Sequence, residues 1–112
     1  MFVISQSNTY KWPITVEFPI DGGNFEKQTF DAEFRRMTQT QIESWLKRIS
    51  DGEAKDSDFA AHVLVGWSGI TDGNADVVFS EYNRDKLFDI PLVTSALIRA
   101  YVSSVAGAKA KN

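Results

Sequence analysis

The sequence predicts an α+β fold, an N-terminal antiparallel β-hairpin followed by about four α-helices. Three observations carry this expectation. From Lys11 onward, Ile14, Val16, Phe18 and Ile20 alternate with Thr15 and Glu17, the period of two that marks a half-buried strand. "DGGN" at residues 21–24 follows, and Asp-Gly and Gly-Gly steps supply the positive φ that tight hairpin turns require. At "MTQTQIESWLKRI" the apolar spacing changes to that of a helix.

The return strand places Phe30, Ala32 and Phe34 on one face and Thr29, Asp31, Glu33 and Arg35 on the other. Residues 11 to about 36 therefore form the hairpin, with one apolar face. Pro13 and Pro19 must lie at strand ends or on an edge, because proline donates no ladder hydrogen bond. A lone hairpin is marginal in water, so its apolar face needs helices or another chain. Thr38 followed by Gln41 is a capping box. Behind it, Ile42, Trp45, Leu46 and Ile49 make one helical stripe, and Asp51-Gly52 ends a helix that starts at about Gln39. "DGEAKDSD" is a charged turn in which Ser57 or Asp58 caps a second helix. Phe59, Val63, Gly66 and Trp67 lie on one side of that helix, broadened by Leu64 and Val65. A helix apolar over so much of its circumference is expected to end at Gly66 and to be buried on two sides. Ser68 to Phe79 reads as a connector, and Ser80 caps "EYNRDKLFDI". Pro91 suits the first turn of a last helix. Its stripe is Val93, Leu97, Ala100, Tyr101 and Val105, broadened by Leu92, Ala96 and Ile98; Gly107 ends it and residues 108–112 form a flexible tail.

A chain of 112 residues is expected to be one domain. Its 43% apolar content sets it apart from disordered compositions, which offer too little burial to offset ordering entropy. The absence of cysteine removes disulfide scaffolds and thiolate chemistry. "MFVISQSNTYKW" has no basic flank and no long apolar core, so neither a signal peptide nor a membrane span is expected, and the protein reads as soluble and intracellular. Net charge of -3 with scattered basic residues argues against nucleic acid as a partner.

Chemistry finds little support. Asp72, Asn74 and Asp76 match the start of a calcium loop, but its sixth position is Val77 rather than glycine and its twelfth is Asn83 rather than glutamate. His62 is the only histidine, and "GWSGI" lacks the nucleophile elbow. Glu81 and Asp85 sit among Arg84 and Lys86 as solvated partners. No phosphate-binding glycine loop occurs. The sequence thus predicts no catalytic residue, no metal and no cofactor. Trp67, beside Gly66 and Gly69, either closes the core or anchors an interface. The apolar start Phe2 to Ile4 is suited to pairing with another chain's edge. The candidate partner-binding residues are Phe2, Ile4, Trp12, Trp67 and Ile70.

Four segments then bear a resemblance: "FDAEFRRMTQTQIESWLKRI", "VLVGWSGI" with the acidic turn after it, "FSEYN" with "LFDIP", and "SALIRAYVSSVAGAKAKN". Together they resemble the small tail assembly chaperones of long-tailed bacteriophages and prophages, over residues 11–112. The resemblance implies a non-enzymatic factor in the host cell cytoplasm, absent from the mature virion. It implies that the factor coats the tape measure protein and keeps it soluble, helps recruit tail tube protein, and self-associates. The other expectations are a structural component of a phage tail or neck, and a small protein-binding adaptor.

Overall fold

In the computed structural model, which describes residues 1–107, two 12-residue strands open the fold: β1 (Thr9–Ile20) and β2 (Asn24–Arg35). They pair antiparallel from Thr9↔Arg35 to Ile20↔Asn24, and Gly22 and Gly23, both at φ 78°, turn the chain between them. A third strand, β3 (Leu64–Ser68), pairs antiparallel with β2, so the order is β1-β2-β3. Pro13 and Pro19 fall on β1, an edge strand, where a missing N–H leaves no ladder partner unmet.

The third strand corrects the sequence expectation. The second helix, α2 (Asp56–Val63), stops three residues before Gly66, and Leu64 to Trp67 are extended. Trp67 therefore stands within a strand rather than at a helix end. The long apolar run comes from a helix that passes directly into a strand, not from one helix buried on two sides. The physical reason is β2, which would otherwise expose its second edge. Ala32, Glu33 and Phe34 pair with Trp67, Gly66 and Leu64, with a register shift between Glu33 and Phe34. Gly66 fits here because a Cβ would come within 3.0 Å of the Glu33 carboxylate Oε1. The expected connector also has structure: β4 (Thr71–Asp72) and β5 (Ala75–Asp76) form a small hairpin, and Asp72 and Asp76 are strand residues at its turn.

Helix α1 (Gln39–Ser50) has the expected capping box: the Gln41 amide donates to Thr38 Oγ1 at 3.2 Å and the Thr38 amide to Gln41 Oε1 at 3.0 Å. Of its stripe, Ile42 is buried and Trp45 and Ile49 pack on the core, while Leu46 is exposed. At the start of α2 neither Ser57 nor Asp58 is the N-cap. Lys55 holds that position, and its amide donates to the Asp58 carboxylate at 2.9 Å. Ser80 caps α3 (Glu81–Phe88) through the Asn83 amide at 3.1 Å.

The last helix, α4 (Val93–Ala106), starts after Pro91 rather than around it. Leu92 takes a left-handed conformation at φ 78°, which breaks the helical path while the chain bends by 102° between α3 and α4. Val105, placed in the buried stripe by its spacing, is exposed, whereas Val93, Ala96, Leu97 and Tyr101 are buried. Gly107 ends the helix at φ 80° as expected, and the predicted tail at 108–112 lies outside the described residues. No single helix among the described residues is long and apolar enough to cross a membrane.

The inward face of the sheet carries Ile14, Val16, Ala32 and Phe34, all buried. Helix α4 lies against β1 and α2, and Trp45 joins α1 to this core by stacking on Phe59 at 5.7 Å. The far half of the β1–β2 hairpin extends beyond that cover, leaving Ile20 and Phe25 exposed at its tip.

Candidate functional site

The five residues singled out from the sequence fall into two groups. Trp12, Ala32 and Trp67 occupy one row across the three-stranded sheet, so the two tryptophans flank a fully buried alanine. Both pack against the core. Trp67 is turned toward its own chain: its indole N–H donates to the Val77 carbonyl at 2.7 Å, and its ring meets Phe79 edge-on at 5.0 Å. Ile70 lies three residues further on, half-buried, and its carbonyl accepts from the Val77 amide at 2.9 Å to close the small hairpin. Phe2 and Ile4 differ, being 87% and 89% exposed on a segment without regular structure.

The sequence signals missed a groove of about 1040 Å³ at the end of the sheet where β1 begins and β2 ends. The residues before β1, the β2–α1 junction and the end of α4 form its walls. An internal network holds them together. The Tyr101 hydroxyl donates to the Arg35 carbonyl at 3.1 Å. Ser104 gives its one hydroxyl proton to the Tyr101 carbonyl at 2.7 Å, so Tyr10 is the donor in its 2.6 Å bond to Ser104. Tyr101 also meets Phe34 edge-on at 5.1 Å and Phe59 at 5.8 Å.

Two arginines give the groove its charge. Arg36 lies over the Tyr10 ring at 4.7 Å, and its Nε donates to Ser7 Oγ at 3.3 Å. Arg35 Nε donates to the His62 carbonyl at 3.0 Å. Among the described residues, neither guanidinium forms an ion pair and no carboxylate lines the groove. In a chain of net charge -3 this is a local excess of positive charge. His62, tilted on Trp45 at 5.2 Å, also lines it. Burial, and then the charge of Arg35, lower its pKa. The only hint in the sequence was a pair of consecutive arginines at a strand end, too short to read as a patch.

Burial, and then the neighbouring Tyr10, push the Tyr101 hydroxyl up from 10.0 to about 12, against smaller opposing effects of Arg36 and the Met37 backbone. The unfolded chain thus loses this proton first, and stability that is intact below pH 10 falls as pH rises toward about 12. In urea titrations across that window, wild type should lose stability more steeply than Tyr101→Phe, which has no proton to lose; equal slopes would refute this.

These features define a small α+β domain whose distinctive surfaces are a basic groove, an exposed apolar N-terminal segment and an exposed hairpin tip. The sequence pattern of the phage tail assembly chaperones matches residues 1–112, and the chain belongs to that family. No curated protein and no solved structure matches it.

Proposed function

We propose that this protein is a non-enzymatic chaperone that binds the tape measure protein, keeps it soluble, and helps recruit tail tube subunits. It acts in the host cell cytoplasm, self-associates, and is absent from the mature virion. The observation that carries this proposal is the family match over all 112 residues. The exposed apolar surface supports it. Phe2, Val3 and Ile4 are exposed in succession, and Phe25 is 64% exposed at the hairpin tip. Exposed apolar side chains such as these offer surface that a partner can cover. Keeping a long client soluble needs cover of this kind and no chemistry.

The test is co-expression with a fragment of the tape measure protein from the same genome. Wild type should keep the fragment in the soluble fraction. Phe2→Asp/Ile4→Asp should cut the soluble yield several-fold while leaving the chaperone's own melting temperature unchanged, because neither side chain packs on the core. Equal recovery of the fragment with and without wild-type protein would overturn the proposal.

A further inference from the structure

We infer that copies of this protein associate head to tail, the β4–β5 hairpin of one copy seating in the Arg35/Arg36 groove of the next. This rests on the self-association proposed above and names the surfaces that would produce it. Both halves of the contact are on this chain. Residues 69–83 contain three acids and neither lysine nor arginine. Within them, Asp72 and Asp76 are exposed and form no ion pair among the described residues. The register Thr71↔Asp76 and Asp72↔Ala75 puts the two carboxylates on opposite faces of the small hairpin. The arginines are divided in the same way, Arg35 held toward the His62 carbonyl and Arg36 over the Tyr10 ring. An element with an acid on each face suits a groove with a cation on each side.

Other acidic turns fit less well. The turn between α1 and α2 carries its own Lys55 and follows Lys47 and Arg48, and Lys47 already pairs with Asp51 at 2.8 Å. Next to β4–β5, Val78 is 72% exposed and Tyr82 69%, which adds apolar area that the contact would cover. The two surfaces also leave the fold at opposite ends of β3, since Val65 lines the groove and Ser68 leads toward the hairpin. One chain cannot satisfy both with itself. A contact between two different patches is heterologous, so it builds rings or open arrays rather than a closed dimer.

Sedimentation velocity on the full chain tests this. Wild type should associate at micromolar concentration, and rising salt should weaken the association because solvent ions screen such charges. Arg35→Gln/Arg36→Gln and Asp72→Asn/Asp76→Asn should each weaken self-association by roughly tenfold or more. Each variant keeps one intact surface, so an equimolar mixture should form a 1:1 heterodimer that grows no further. Circular dichroism melts show whether each variant is folded, and recovery of the heterodimer shows that both surfaces are intact. If the variants associate as wild type does, these surfaces are wrong while self-association stands. If wild type stays monomeric, both this inference and that part of the proposed function are overturned, whatever the result with the tape measure fragment. A groove that instead holds an acidic segment of a client would show as loss of fragment binding in Arg35→Gln/Arg36→Gln with an unchanged sedimentation profile, which also overturns it.

Discussion

Replacing Tyr101 with alanine should lower the free energy of unfolding by about 3–5 kcal/mol, the usual range for deleting a buried aromatic side chain. Tyr101 is fully buried and touches the rings of Phe34, Phe59 and Tyr10. Its removal opens a cavity where β1, β2, α2 and α4 meet. Domains of this size have only about 5–15 kcal/mol of stability, so this loss removes a large share of the total. Tyr101→Phe keeps the rings packed and loses only the hydrogen bond to the Arg35 carbonyl, at a cost of about 1–3 kcal/mol for the acceptor left unmet. Urea midpoints measure both effects. A loss below about 1 kcal/mol for Tyr101→Ala would mean that these elements do not converge on this ring.

Trp67→Ala should cost about 2–4 kcal/mol, less than a fully buried tryptophan because the indole is only half-buried. Three attachments go at once: the packing against the core, the edge contact with Phe79 and the bond to the Val77 carbonyl. Since Val77 follows directly after β5, the small hairpin should loosen with the indole. Faster amide exchange at Val77, whose N–H donates to the Ile70 carbonyl, would report this. Trp67→Phe should retain most of the packing and lose about 0.5–1.5 kcal/mol with the hydrogen bond. An unchanged melting temperature for Trp67→Ala would show that the indole contributes nothing to the fold and would return it to the candidate partner contacts.

Much of this was legible in the residues. The alternation from Ile14, the Gly22-Gly23 turn and the Thr38–Gln41 capping box all appear in the structure. Each depends on residues close in sequence, whose geometry their own chemistry restricts. The largest error lay at Leu64 to Trp67, where apolar residues in unbroken succession suit a buried helix and a buried strand equally. Periodicity could not choose between them; the open edge of β2 did.

The candidate sites divide along the same line. The exposure of Phe2 and Ile4 was legible because four apolar residues open the chain with no periodic pattern to bury them, and the structure leaves both exposed. The groove was not legible. Its walls join residues 94 apart, Tyr10 to Ser104, and 66 apart, Tyr101 to the Arg35 carbonyl. The sequence by itself determined the first hairpin, the bounds of α1, the cap of α3 and the end of α4, because local hydrogen bonds and apolar periods fix these, and its motifs carried the resemblance to the family. Only the tertiary structure decided that Leu64 to Ser68 is a strand, that Trp67 turns inward, and that Arg35 and Arg36 line one groove without an ion pair among the described residues. Those outcomes depend on which distant surfaces meet, and no local pattern carries that information.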